Sequence, residues 1–387
     1  MKCRRRAGIG LLFAGAVACC GAANLLIAAA GDATERVTLP IDHAQMFLAP
    51  YVWKMSGLGV DARAEAAMPG AYLKAVVQGT KTLGLIIDGT ANRDCPPASM
   101  PVVEVSIDEG EFRVVPLTRT GEVYTLPLAE QLDAAGPHRV EVYLRANDLT
   151  VKRWTAATTH LRIGGLTADA GATLIAPSVR PRRVIGFGDS ITEGVGVDGL
   201  FTSWQSLGVN NARETWLPLV CSALDCEYGQ LGSGGQGMTR EIHLPPLTGT
   251  WDRLDAVTSR LTGGFLLPEP DYVYCMMGTN DYDKDITSDY ARWLTAMRQA
   301  CPRSRFFCIV PPLGVHRTEI AAVVAASNAT GDQRVHLIET TPLRQLFRAG
   351  QGATQCAYDG VHPSRFGQAL LGALIAVETQ KVLSREK

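Results

Sequence analysis

The sequence predicts an all-β sandwich or jelly roll followed by a three-layer α/β domain built on a parallel sheet. Three observations carry this reading. Residues 37–176 hold short alternating runs broken by turn residues, residues 177–183 form a Pro- and Arg-rich connector, and strand-like runs alternate with helical patterns from 184 to 385.

In the first part, Ala71–Gly79, Val102–Asp108, Glu111–Leu117, Arg139–Arg145 and Thr159–Ile163 are rich in β-branched or alternating residues. Gly, Pro and Asp clusters punctuate them, as the turns of a sandwich require. Beyond the connector, strands are expected at Val184–Phe187, Glu227–Leu231, Tyr272–Met276, Phe306–Val310 and Val335–Ile338. Helices are expected over Glu214–Leu224, Ile286–Ala300 and Ser364–Val382. Such alternation implies parallel strands covered by helices on both faces. Ligands of these folds bind beyond the carboxyl ends of the strands.

The N-terminus stands apart. Lys2, Arg4, Arg5 and Arg6 precede an uncharged stretch, Ala7–Ala30, that ends in three alanines. This is the layout of a secretory signal, with cleavage near Ala30. The stretch is also long enough to span a bilayer as an uncleaved anchor, and Ala16-Val17-Ala18-Cys19 loosely resembles a lipoprotein processing box. Export is therefore expected, with membrane contact only through this segment.

Composition narrows the partners. The chain is 46% hydrophobic and 19% charged with a net charge of −1, which suits a globular protein and argues against nucleic acid or another polyanion. Seven cysteines follow Ala30, an odd number, so at least one stands outside any internal pairing. Cys221 and Cys226 are close enough in sequence to pair locally, which spacing alone does not decide. No CxxC repeat or Cys/His cluster suggests a metal site, and no cofactor is expected.

Four short motifs follow strand ends. Gly188-Asp189-Ser190-Ile191-Thr192-Glu193-Gly194 comes after the first. A serine there exposes its hydroxyl and offers its backbone N–H to a developing oxyanion, although taken alone an N-cap serine is the commoner use. Gly232-Ser233-Gly234-Gly235-Gln236-Gly237 comes after the second, where glycines allow close backbone approach. Gly278-Thr279-Asn280-Asp281 comes after the third and supplies an amide donor, or an Asx turn. Asp359-Gly360-Val361-His362 precedes the last helix, pairing a general base with a carboxylate that can orient it.

Together the blocks GDSITEG, GSGGQGM, GTND and DGVH, spread over residues 181–385, resemble those of the SGNH (GDSL-like) hydrolase superfamily. The resemblance implies a flavodoxin-like three-layer domain. It further implies Ser190 as nucleophile, His362 as base and Asp359 as its partner, with Ser190, Gly235 and Asn280 forming the oxyanion hole. Gly234, beside Gly235, is the alternative loop donor. A sandwich ahead of such a domain resembles carbohydrate esterase family 2 and related acylhydrolases. Those sequences often carry Asp-x-His or lack the Asp, whereas Asp359 and His362 are spaced Asp-x-x-His.

Rival motifs are weaker. Gly194, Gly196 and Gly199 match a Gly-x-Gly-x-x-Gly string, but it begins seven residues past Phe187 and does not open a helix directly after a strand. Ser190 lies in Gly-x-Ser-x-Thr, not in the Gly-x-Ser-x-Gly elbow of α/β-hydrolases.

The expected function is an exported serine esterase acting on short acyl groups, O-acetyl above all, carried by a carbohydrate. No long apolar run borders the motifs to line an acyl tunnel, and residues 202–215 are mostly polar around Trp204. Trp204, Tyr282 and Tyr358, with Trp216, are candidates to stack on a sugar, a role that competes with core packing. The alternatives are acyl transfer to a sugar hydroxyl, or carbohydrate binding with weak catalysis.

Overall fold

Strands and helices are numbered in chain order. The computed structural model describes residues 35–148, 153–155, 158–203, 207–262, 264, 266–347 and 356–385. The segment expected to act as a signal or anchor, and Trp204, lie outside the described residues. Among the described residues, no helix is long and apolar enough to cross a membrane.

The N-terminal part supplies β1 (Arg36–Pro40), β2 (Phe47–Leu48), β3 (Lys54–Ser56), β4 (Arg63–Ala66), β5 (Tyr72–Gln78) and β6 (Leu83–Asp88). It continues with β7 (Val102–Ile107), β8 (Arg113–Pro116), β9 (Val123–Ala129), β10 (Pro137–Ala146), β11 (Leu161–Asp169) and β12 (Thr173–Ile175). These form two antiparallel sheets. One runs β3-β4-β11-β6-β9 with β1 also on β11; the other runs β12-β5-β10-β7-β8 with β2 on β5.

All five runs expected from alternation are strands. Those not anticipated have identifiable reasons. β6 is almost wholly buried, so it shows no alternation. β9 contains Pro127, which reads as a breaker but is tolerated on this edge strand.

The C-terminal part carries β13 (Arg182–Gly188), β14 (Cys226–Gly232), β15 (Tyr272–Met276), β16 (Arg305–Val310) and β17 (Val335–Glu339). They form one parallel sheet in the order β14-β13-β15-β16-β17. β13, β15 and β16 are nearly continuous buried runs, as strands covered on both faces must be. The helices are α1 (Ser190–Glu193), α2 (Trp216–Ala223), α3 (Thr287–Ala300), α4 (Arg317–Ala329) and α5 (Arg365–Arg385). In α3, Tyr290, Trp293, Leu294 and Met297 are buried, the spacing of one helical face. The unexpected α4 buries only Ile320, Val323 and Val324 in an alanine-rich sequence, which weakens its periodic signal.

One face of the sheet packs Val184, Tyr274 and Phe307 against Trp216 and Val220 of α2 and Leu371 and Ile375 of α5. This core is continuous with that of the sandwich. The other face packs Phe187, Val273 and Phe306 against Trp293 of α3 and Ile320 of α4. Trp216 is fully buried and its indole N–H donates to Thr192 Oγ1 at 3.0 Å, so it is core and not a sugar platform.

The sandwich meets the α/β part through the sheet that contains β5. The Tyr72 ring lies 5.0 Å from those of Tyr143 and Tyr228. Ion pairs cross beside it, Lys74 to Glu227 at 2.8 Å, Arg213 to Glu104 at 2.6 Å and Arg145 to Asp198 at 2.6 Å.

The strand order places β13 between β14 and β15, which are reached by crossovers in opposite directions. That reversal opens a crevice beyond the carboxyl end of β13. Ser190 stands there.

Candidate active site

Close packing shapes the turn after β13. A Cβ on Gly188 would fall 1.9 Å from Thr192 Oγ1, so only glycine lets α1 fold back on the strand end. Asp189 caps α1, its Oδ1 accepting the Ile191 N–H at 3.0 Å. Burial raises the Asp189 carboxyl to about 6, against the Ile191 N–H and the Thr279 hydroxyl, which lower it. Ser190, with 4% of its surface exposed, is the first residue of α1. Its N–H is among the helix-initial donors that lack an intrahelical acceptor.

His362 arrives from the far end of the chain. An isolated antiparallel bridge, Ala357 to Pro363, and a Ser364 N–H to Cys356 O bond of 2.7 Å shape the turn ahead of α5. Gln368 then ties α5 to the nucleophile turn. It is fully buried, donates to Ile191 O at 2.9 Å and accepts the Trp216 N–H at 2.9 Å.

The result is a continuous hydrogen-bonded chain. His362 Nε2 lies 2.9 Å from Ser190 Oγ, and His362 Nδ1 lies 2.6 Å from Asp359 Oδ2. Asp359 Oδ1 accepts the N–H groups of Val361 and His362 at 2.9 and 2.8 Å. Burial raises this carboxyl, but the His362 ring and those N–H groups outweigh it and hold it at about 2. An ionised carboxylate only accepts, so Nδ1 carries the proton and Nε2 is left to accept from the serine hydroxyl.

The glycine loop shows which donors remain. Ser233 N–H goes to Gly188 O at 3.2 Å, Gly234 N–H to Glu193 Oε2 at 2.5 Å, and Gln236 N–H to Ser233 O at 3.2 Å. Gly237 N–H goes to Arg240 O at 2.9 Å and Met238 N–H to Asp281 Oδ2 at 2.7 Å. The Gly235 N–H has no acceptor among the described residues. Gly235 itself sits at φ +75°, a left-handed conformation that suits glycine. Asn280 Nδ2 donates one hydrogen to Gln236 O at 2.9 Å, leaving its second hydrogen.

The GTND turn is braced from below. The buried Asp281 carboxylate accepts from the N–H groups of Met238, Thr239 and Arg240 at 2.7, 2.9 and 3.0 Å. His316 donates through Nε2 to Asp281 O at 3.0 Å. Asp281 belongs to the GTND block, but the block itself does not reveal the loop that its carboxylate holds. Gln368 and His316 carried no sequence signal.

The aromatic candidates part company. Tyr282 is 70% exposed, with the Arg240 guanidinium 4.7 Å from its ring centre, and Tyr358 is 38% exposed. Phe201, not singled out from sequence, lies 5.6 Å from the His362 ring. Cys221 and Cys226 stand as separate buried thiols.

Fold and site define the SGNH class, a flavodoxin-like α/β domain with its conserved blocks gathered at one strand edge. The comparisons agree. Residues 187–370 match the GDSL-like lipase/acylhydrolase family. The chain is 25% identical over 248 residues to the cellulase/esterase CelE of Acetivibrio thermocellus, covering 60% of this chain and 29% of that protein. It is 24% identical over 242 residues to an acetylxylan esterase / glucomannan deacetylase of Cellvibrio japonicus, covering 58% of this chain and 59% of that protein. The chain thus spans less than two thirds of either curated relative. The structure of a family two carbohydrate esterase from Cellvibrio japonicus superposes with a TM-score of 0.70 at 17% identity, covering 92% of this chain and all of that one.

Proposed function

We propose that this protein is an exported serine esterase that removes short acyl groups, O-acetyl above all, from carbohydrate. The observation that carries the reading is the Ser190–His362–Asp359 chain, with the N–H groups of Ser190 and Gly235 and one hydrogen of the Asn280 amide left without an acceptor among the described residues. His362 Nε2 takes the Ser190 proton as Oγ attacks the acyl carbon. The carbonyl oxygen becomes an oxyanion held by the three donors. Collapse breaks the ester C–O bond, and the leaving alkoxide takes the proton from His362. Water repeats the sequence on the acyl-enzyme, releasing the carboxylic acid and restoring Ser190. The names of the two relatives, both esterases, support this chemistry, and the second supports an acetylated polysaccharide.

Asn280→Ala is expected to lower kcat on the order of 10²–10³. An effect confined to KM would instead make Asn280 a ground-state contact. For the acyl group, a small pocket rejects longer chains, whereas a lipase gains transition-state binding with each methylene. The expected result across acetyl, butyryl, octanoyl and palmitoyl aryl esters is a fall in kcat/KM with chain length. A rise towards palmitoyl would move the function to lipid hydrolysis. Release of acetate from acetylated xylan or glucomannan, measured against simple acetylated sugars, tests the alcohol side.

A further inference from the structure

Arg153 lies between β10 and β11, within the sandwich part, yet its side chain is buried completely. Its Nη1 sits 2.8 Å from Glu193 Oε1. Glu193 ends α1, three residues after Ser190, and is only 2% exposed. Its other oxygen accepts the Gly234 N–H. A guanidinium from the sandwich is thus linked through one carboxylate to the residue preceding Gly235.

A buried ion pair adds little net stability, because desolvation offsets the attraction. What it supplies is a defined geometry at both ends. Every other tied N–H from Ser233 to Met238 is held by groups of the α/β part, namely Gly188, Ser233, Arg240 and Asp281. The Gly234 N–H alone is held by a carboxylate that depends on the sandwich. Rotating the peptide between Gly234 and Gly235 would swing the Gly235 N–H out of the site.

We propose that the Arg153–Glu193 pair positions the oxyanion loop, making the sandwich a structural part of the active centre. The proposal rests on Gly235 N–H being an oxyanion donor. Arg153 and Glu193 are positioning residues, acting through Gly234. Burial raises the Glu193 carboxyl, while Arg153 and the Gly234 N–H lower it. Without Arg153 it is pushed towards the neutral form, a weaker acceptor for Gly234.

The test uses Arg153→Met, Arg153→Lys and Glu193→Gln in the full chain. Each is measured by thermal unfolding, by kcat and KM on an aryl acetate, and by inhibition with methylboronic acid, whose tetrahedral adduct on Ser190 mimics the oxyanion. The expected result is a fall in kcat on the order of 10- to 100-fold in folded protein. KM should stay within about two-fold, and boronate affinity should fall in step with kcat. Arg153→Lys should recover part of the loss. If Arg153→Met does not fold, Glu193→Gln, which is nearly isosteric, gives the same reading. Folded variants with wild-type kcat and boronate affinity would overturn the proposal, as would a loss explained wholly by unfolding. Ser190→Ala separates the two readings, since wild-type-like turnover in that folded variant would sink the esterase reading itself.

Discussion

Ser190→Ala is expected to lower kcat on the order of 10⁶ while leaving the fold intact. The hydroxyl is the only group lost, and its one strong partner is His362 Nε2 at 2.9 Å. The backbone N–H that caps the oxyanion stays, so residual catalysis should persist above the uncatalysed rate. Unfolding should shift little, because no packed side chain is removed. The deciding measurement pairs kcat on an aryl acetate with a thermal unfolding curve. Wild-type-like turnover in a folded variant would remove Ser190 from the chemistry.

The second large effect falls on the base and its carboxylate. His362→Ala should be nearly as damaging as losing Ser190, because the two act as one unit. Asp359→Asn should cost on the order of 10⁴, since an amide at 2.6 Å from Nδ1 favours the wrong tautomer. The Asp359 carboxyl is held at about 2, below the ordinary carboxylate range. Its stabilising contribution is therefore complete above that range and lost only as the pH falls towards 2. A near-wild-type rate in Asp359→Asn would show that the carboxylate is dispensable.

The blocks around Ser190, Gly235, Asn280 and His362 were legible because each follows a strand or precedes a helix with a clear period. The parallel strands were legible for a related reason. Burial on both faces leaves continuous apolar runs such as those of β13 and β15. Strands β1–β4 were missed because they are short or mixed, and α4 because alanine gives a helical face little contrast.

By itself the sequence determined the fold class, the order of the motifs and the residue types available for chemistry. Those depend on local pattern, which a one-dimensional reading can follow. Only the tertiary structure brought a carboxylate 41 residues earlier in the chain to the Gly234 N–H, leaving the Gly235 N–H without an acceptor among the described residues. Only it joined Ser190 to His362 across 172 residues and seated Gln368 between their elements. It also brought Arg153 from the sandwich to Glu193. Such contacts are made between surfaces that meet after the elements form, so no spacing along the chain encodes them.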